Sequence, residues 1–170
     1  MTDPATGPAL TLVACGAPLA SRARHVRAAL AGAGWSVTLL VSDAGEAWAG
    51  EGDRSGPRAH AVVACPLTFN TANKVAAGIM DTPASGTLCD ALGAGLRVVA
   101  VPMVNSRLWA HPAWAGTLRT LRDCGVVLLD PADGRVGGPG PVASGTGDAV
   151  AAAFDPAWVV TAMGPARPCG

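Results

Sequence analysis

The segment 66–81 carries a concentration of polar side chains directly after an apolar run. Residues 60–65 have the composition of a buried strand, and Pro66 closes that strand. Three hydrogen-bonding side chains and one aromatic ring follow around a predicted helix start: Thr68, Asn70, Thr71 and Phe69. This is the strongest indication of a ligand site in the chain.

The turns after two earlier predicted strands carry residues suited to a phosphate. Small residues after the first strand would let backbone amides approach a phosphate at a helix start. They are Gly16, Ala17 and Pro18. After the second strand, the hydroxyl of Ser42 could donate to the same phosphate, or Ser42 could simply cap a helix.

The turn after the fourth predicted strand contains Met103 and Asn105, followed by His111 and Pro112. His111 is the only histidine near the predicted site, and two interpretations stay open. It is either a catalytic acid or base, or a helix-start residue beside Pro112.

These turns must be positioned by the elements between them. Predicted strands cover residues 10–15, 36–41, 60–65, 97–101 and 126–129. Predicted helices cover residues 21–33, 68–94 (as two helices broken near Pro83), 111–123 and 155–163. The strands are uniformly apolar, as expected when helices cover both faces of a sheet. The alternation predicts an α/β fold with a doubly wound parallel sheet, whose ligands bind at the carboxyl ends of the strands.

Length and composition narrow the class of protein. The 170 residues form one predicted domain, 1–170, with a Gly/Pro-rich segment at 131–149 that we expect to be a mobile substrate flap. Zero net charge argues against partners that are nucleic acids or anionic membranes. Five cysteines without a CxxC pair favour reduced thiols and no metal site. No apolar run approaches the ~20 residues of a membrane span, so we expect a cytoplasmic protein.

Two segments resemble signatures of the homo-oligomeric flavin-containing cysteine decarboxylases, which include phosphopantothenoylcysteine decarboxylase and the lantibiotic peptidyl-cysteine decarboxylases. The first signature is Pro-x-Ser/Thr-x-Asn-Thr-x-x-Lys-x-Ala-x-Gly-x-x-Asp. It is matched by Pro66, Thr68, Asn70, Thr71, Lys74, Ala76, Gly78 and Asp81. The second, Pro-x-Met-Asn-x-x-Met-Trp, is matched by Pro102, Asn105 and Trp109, with Val104 and Leu108 in place of its methionines. The likeness extends over residues 10–163.

The resemblance implies a Rossmann-like fold and an FMN site, with FAD as an alternative cofactor. The flavin phosphate would lie against Gly16, Ala17, Pro18 and Ser42. The isoalloxazine ring would lie along Thr68, Phe69, Asn70 and Thr71 and near Met103. Asn105 would bind the substrate carboxylate, and the substrate would be a peptide or a small molecule. The chain would assemble with itself as a trimer or dodecamer.

The chain departs from the family pattern at two catalytic elements. Residues 49–58 contain no histidine, although the family has one before its third strand, and His60 reads as a structural residue. In the flap, Ser144 occupies the place of the family cysteine. The resemblance therefore favours an oxidative decarboxylase of a cysteine carboxylate, with a non-decarboxylating flavin-binding homologue as the alternative. Prenyl transfer to flavin ranks third.

Overall fold

The structure is a computed structural model that describes residues 7–166. Its strands are β1 (Ala9–Ala14), β2 (Ser36–Val41), β3 (Ala61–Leu67), β4 (Arg97–Pro102) and β5 (Val127–Leu128). Its α-helices are α1 (Ala23–Gly32), α2 (Glu46–Ala49), α3 (Phe69–Ala76), α4 (Pro83–Gly93), α5 (Ser106–Trp109), α6 (Trp114–Asp123), α7 (Gly147–Ala153) and α8 (Pro156–Met163). Short 3₁₀ turns at Pro18–Arg22 and Asp43–Gly45 follow β1 and β2.

The five strands form one parallel sheet in the order β2-β1-β3-β4-β5. The chain moves outward from β1 to β2 and then crosses back to place β3 on the other side of β1. Because the direction of winding reverses there, the turns after β1 and β3 diverge and leave a crevice between them. The predicted doubly wound α/β fold is confirmed.

Helices cover both faces of the sheet. One face packs against α1, α7 and α8, and the other packs against α3, α4 and α6. Neighbouring residues of β1 show the division, since Leu12 belongs to the first buried cluster and Val13 to the second, each with 0% exposure. Burying such a side chain stabilises the fold by roughly 1.5–3 kcal/mol. The strands are uniformly apolar because helices bury both faces of the sheet, as expected.

Most predicted boundaries differ from the observed ones by one to three residues, and two of these differences bear on the site. Pro66 does not close β3, which continues to Leu67, because the proline sits at a register irregularity between Ala64 and Leu67 where its missing N–H is tolerated. The predicted helix 111–123 begins only at Trp114, since the His111 ring Nδ1 accepts the Ala113 N–H at 3.1 Å in the turn before the helix.

Two further findings concern the lengths of the helices and the state of the cysteines. Within residues 7–166, every helix is too short or too polar to cross a lipid bilayer. Cys15, Cys65, Cys89 and Cys124 carry free thiols, and Cys169 lies outside the described residues.

Candidate functional site

A cavity of about 890 Å³ opens at the carboxyl ends of the strands, at the β1/β3 switch point. Its walls come from the turns after β1 to β4, the start of α4 and the segment before α7. Small-molecule sites commonly have volumes of about 300–1,000 Å³. All of the predicted site residues except His111 line this cavity: Gly16, Ala17, Pro18, Ser42, Thr68, Phe69, Asn70, Thr71, Met103 and Asn105.

The turns after β1 and β2 meet closely on one side of the cavity. A Cβ on Gly16 would come within 2.5 Å of the Ala44 Cβ and 2.8 Å of the Ala44 carbonyl carbon. The Ala17 N–H already donates to the carbonyl of Cys15 at 2.9 Å, and Pro18 has no N–H. Within the described residues the Gly16 N–H makes no backbone hydrogen bond, so it remains a donor for a ligand.

Ser42 reconciles the two interpretations drawn from its sequence. Its Oγ accepts the Gly45 N–H at 3.2 Å and so caps the turn Asp43–Gly45. Because this bond uses an oxygen lone pair, the hydroxyl proton remains available to a ligand in the cavity. The N–H groups of Asp43 and Ala44 begin the same turn and have no acceptor within it.

The turn after β3 connects two hydroxyls and a thiol beneath the cavity. Thr68 Oγ1 accepts the Thr71 N–H at 3.5 Å and caps α3. Thr71 Oγ1 in turn accepts from the Thr68 hydroxyl at 3.3 Å and from the Cys15 thiol at 3.6 Å. Burial raises the pKa of the Cys15 thiol, although the hydrogen bond with Thr71 opposes this effect. We therefore expect the Cys15 thiol to stay protonated near pH 7.

Phe69 and Asn70 present an aromatic ring and an exposed amide to the cavity. The Phe69 ring centroid lies 5.4 Å from that of Trp114 and 5.4 Å from that of His111. Trp114 is fully buried, so its contact holds the Phe69 ring in place at the cavity wall. His111 contacts this aromatic cluster and does not line the cavity.

Behind the β3 turn, Lys74 forms an ion pair with Asp81 at 2.8 Å. The hydrogen bond from Lys74 lowers the pKa of the Asp81 carboxyl. This pair ties α3 to the start of α4 and occupies the Lys74 ammonium group, which agrees with a structural role for this lysine. Thr82 then caps α4 by accepting the Ser85 N–H at 3.2 Å.

The turn after β4 gives Asn105 two separate roles. Its Oδ1 accepts the Leu108 N–H at 3.0 Å and caps α5. The amide NH₂ group is not used by that cap, so it can donate to a ligand in the cavity. Val142 pairs alongside this turn, with its N–H donating to the carbonyl of Val104 at 2.9 Å.

The segment 131–149 is anchored over most of its length. The buried carboxylate of Asp130 accepts the N–H groups of Ala132 and Gly140, each at 2.7 Å. The exposed residues 143–146 lie between Val142 and the start of α7, and Ser144 in this stretch lines the cavity. The mobility of this segment stays a prediction, and its last residues belong to α7.

Sequence reasoning named part of the cavity wall only as a substrate flap and missed another part. The wall residues within the predicted flap are Val142, Ala143, Ser144, Gly145, Gly147 and Asp148. The residues that were not assigned to the site are Asp43, Ala44, Asp81, Thr82, Pro83, Ala84, Val104 and Leu108. The Thr-Pro pair at 82–83 is a helix-start signal that could have placed α4 at the site. Among the described residues, the wall includes three aspartates and no lysine, arginine or histidine. An anionic ligand group would therefore be bound by neutral N–H and O–H donors.

The histidines lie elsewhere. His60 precedes β3, and its Nδ1 accepts the Ala9 N–H at 3.1 Å, which agrees with the structural role expected of it. His25 is exposed on α1. Within the described residues, no histidine lines the cavity.

The sheet order and the cavity at its switch point define an open, doubly wound α/β protein, the class whose ligand sites lie at the strand ends. A family model described as Flavoprotein matches residues 19–152. The chain belongs to the Flavoprotein family, as the resemblance of its two signatures predicted.

Curated relatives match about half of the chain. The coenzyme A biosynthesis bifunctional protein CoaBC of Mycobacterium tuberculosis (strain ATCC 25618 / H37Rv) is 37% identical over 83 residues, which are 49% of this chain and 19% of that protein. CoaBC of Mycolicibacterium smegmatis (strain ATCC 700084 / mc(2)155) is 36% identical over 85 residues, 50% of this chain and 20% of that protein. The matched region thus spans about a fifth of the length of these relatives.

Solved structures share the fold at low identity. A PPC decarboxylase mutant complexed with pantothenoylaminoethenethiol has a TM-score of 0.62 at 19% identity, covering 77% of this chain and 86% of that one. The FMN-dependent cysteine decarboxylase TvaF from thioviridamide biosynthesis has a TM-score of 0.61 at 23% identity, covering 73% and 90%. The FMN-binding protein AtHal3 has a TM-score of 0.62 at 19% identity, covering 86% and 94%.

Proposed function

We propose that this chain binds FMN in the cavity and acts as an oxidative decarboxylase of a cysteine carboxylate, on a peptide C terminus or a small molecule. The observation that carries the proposal is the convergence of the turns after β3 and β4 on one cavity in a Flavoprotein family member. The absence of a disulfide among the four cysteines that the structure describes is compatible with action in the cytoplasm, which we also propose.

The cavity residues fit the chemistry of a flavin mononucleotide. A phosphate needs several N–H or O–H donors, and the Gly16 N–H, the Ser42 hydroxyl and the first-turn amides after Ser42 supply them. A flat, mostly apolar ring system needs aromatic and small apolar neighbours with a few polar contacts at its edge. Phe69, Met103 and Asn70 line the cavity and offer those contacts.

In the proposed reaction, Asn105 binds and orients the substrate. Its free NH₂ group would donate to the carboxylate of the terminal cysteine, while its Oδ1 stays on the α5 cap and keeps the amide in place. When bound, the flavin would supply the two-electron oxidation of the cysteine side chain from thiol to thioaldehyde by accepting the hydride equivalent of the side-chain CH₂. The thiol proton is released in this step and is returned when the enethiolate left by decarboxylation is protonated. The thioaldehyde accepts the electron pair released when the neighbouring carboxylate leaves as carbon dioxide. The product is an enethiol.

A second candidate is a flavin-binding protein without decarboxylase activity. It is favoured by a specific observation, since no histidine of the described residues lines the cavity. Ser144, which the resemblance aligns with the family cysteine, does line it. In this alternative the FMN site persists while proton transfer to and from a substrate is lost.

Flavin binding is tested first. We expect the purified protein to be yellow, to absorb in the flavin bands and to release FMN, not FAD, on heat denaturation. A colourless protein that binds neither added FMN nor added FAD would refute both candidates.

Decarboxylation is tested with Asn105→Asp and Asn105→Ala on a peptide ending in cysteine. Aspartate keeps the helix cap but replaces the NH₂ donor by a carboxylate, so the fold and FMN affinity should survive while carbon dioxide release falls by about 100-fold or more. Alanine also loses the cap, at about 1 kcal/mol of stability. Equal turnover of wild type and Asn105→Asp would show that the Asn105 NH₂ group takes no part in the reaction. No release of carbon dioxide from any cysteine carboxylate, with FMN fully bound, would select the second candidate.

His111 is retained as a proposed acid or base and is tested separately. In His111→Asn the Oδ1 atom can still accept the Ala113 N–H, so the turn before α6 is preserved. An acid or base contributes about 100- to 10,000-fold to a rate. A loss of that size would support a catalytic role. Unchanged turnover would show that His111 serves only the turn before α6 and the contact with Phe69.

We also propose that the chain assembles with itself, as a trimer or dodecamer. The exposed apolar side chains of Ile79 and Met80, at 46% and 58% exposure, lie beside Asp81 at the edge of the cavity. Light scattering on wild type and an Ile79→Lys, Met80→Lys variant tests this. A monomeric wild type would refute the assembly.

A further inference from the structure

We propose that Met103 is a positioning residue whose thioether holds the turn after β1 against the turn after β4 and so sets the width of the cavity. Met103 Sδ accepts the Leu19 N–H at 3.3 Å. Leu19 is completely buried and lies in the first turn of Pro18–Arg22, where N–H groups have no partner within the turn. The sulfur thus satisfies a buried donor that water cannot reach.

Met103 also contacts the other walls of the cavity. Its own N–H donates to the carbonyl of Leu67, the last residue of β3, at 2.9 Å. On the opposite side, a Cβ on Gly147 would lie 3.7 Å from the Met103 Cε and only 2.8 Å from the Pro18 Cγ. Met103 therefore joins the ends of β1, β3 and β4 to the start of α7. A change in its side chain should move the β1 turn relative to the Asn105 turn.

This role differs from that of a residue that merely fills the cavity wall. Leucine has nearly the volume of methionine but no acceptor, so Met103→Leu would leave the Leu19 N–H buried and unpaired. The buried Met163 on α8 provides the matched control, because it is 3% exposed, does not line the cavity, and Met163→Leu makes the same change in the core. The two variants should lose similar packing energy, but only Met103→Leu loses the sulfur that accepts the Leu19 N–H. We call this contact between the Met103 sulfur and the Leu19 N–H the clamp.

The effect on flavin affinity rests on the proposed function, but the clamp does not. Hydrogen exchange of the Leu19 amide, measured by NMR on the flavin-free protein, should be about tenfold faster or more in Met103→Leu and unchanged in Met163→Leu. FMN affinity should fall about fivefold in Met103→Leu, the equivalent of about 1 kcal/mol for one lost hydrogen bond, and stay unchanged in Met163→Leu.

Each result decides the proposal. Unchanged Leu19 exchange in Met103→Leu, or equal changes in both variants, would overturn the clamp. If the wild type binds no FMN, the proposed function fails, while the Leu19 exchange still tests the clamp. If wild type binds FMN and Met103→Leu binds it equally well, the positioning role fails and the proposed function stands. Should Met103→Leu not fold, Met103→Gln replaces it. Its amide oxygen can accept the Leu19 N–H, so protection should be retained, and loss of protection would overturn the proposal.

Discussion

Gly16→Ala should disturb the proposed phosphate side of the cavity more than its single added methyl group suggests. The new Cβ would lie 2.5 Å from the Ala44 Cβ and 2.8 Å from both the carbonyl carbon and the oxygen of Ala44. None of these atoms can rotate away, because two are backbone and the third is a Cβ. Relief therefore requires the turn after β1 or the turn after β2 to move by most of an ångström.

The cost of such overpacking is typically about 1–3 kcal/mol. If the strain falls on the bound arrangement of the Gly16 and Ser42 donors, FMN affinity drops by about 5- to 150-fold, at tenfold per roughly 1.4 kcal/mol. If it falls on the fold as a whole, the melting temperature drops by about 2–4 °C for each kcal/mol in a chain of this size. The expected result is a loss in at least one of these two quantities.

The assay is an FMN titration followed by flavin fluorescence, together with thermal unfolding of the flavin-free protein. Gly116→Ala is the matched control, because Gly116 lies within α6 and a Cβ there would meet nothing within 4 Å. That variant should gain about 0.5–1 kcal/mol from helix propensity and bind FMN as the wild type does. Wild-type affinity together with a wild-type melting temperature in Gly16→Ala would refute the reasoning.

Three further predictions concern stability and thiol reactivity. Asp130→Asn should destabilise the chain by about 1–3 kcal/mol, measured by urea unfolding, because it weakens the charge-assisted acceptor of two backbone N–H groups. Burial raises the pKa of the Cys65 thiol, so Cys65 should react with iodoacetamide at pH 8 only when the protein unfolds. The exposed Cys124 should be alkylated in the folded protein. Rapid labelling of Cys65 in the folded protein would contradict this prediction. The hydrogen bond from Lys74 lowers the pKa of the Asp81 carboxyl in the folded protein. The stability that this carboxylate contributes is therefore fully present above its unfolded pKa of about 3.9, and it is lost as the pH falls through the lower folded pKa. Asp81→Asn should therefore lower the urea midpoint slightly at pH 7, and this loss should shrink as the pH falls through the folded pKa. A loss that is the same at every pH would show that the ion pair is not the cause.

Much of the fold was predictable because local signals and burial agree. The predicted strand 36–41 has the observed bounds of β2. The predicted helix 155–163 is α8, and its first predicted residue, Asp155, caps it by accepting the Ala157 N–H at 2.9 Å. The two helices predicted around Pro83 are α3 and α4. In each case a short stretch of sequence contains the whole physical cause.

The parts that were not predicted depend on contacts between distant residues. The path of the segment after β5 is set by hydrogen bonds to the Asp130 carboxylate and to the carbonyl of Val104, and neither partner can be identified from the local pattern. The thioether of Met103 accepts the N–H of a residue 84 positions away in the chain. Such a bond has no signal in composition or periodicity, so the sequence suggested only that Met103 lies near a flavin ring.

The residues that match the family signatures are not equally informative about chemistry. Thr68 and Asn105 each cap a helix, and Lys74 pairs with Asp81, so these residues have structural reasons to be present whether or not the chain is an enzyme. A match at such positions supports the fold and the cavity more strongly than it supports decarboxylation. The free NH₂ group of Asn105 is the exception, because the α5 cap does not use it and aspartate can provide the same cap. Loss of turnover in Asn105→Asp, with the fold and FMN binding intact, would separate catalysis from architecture.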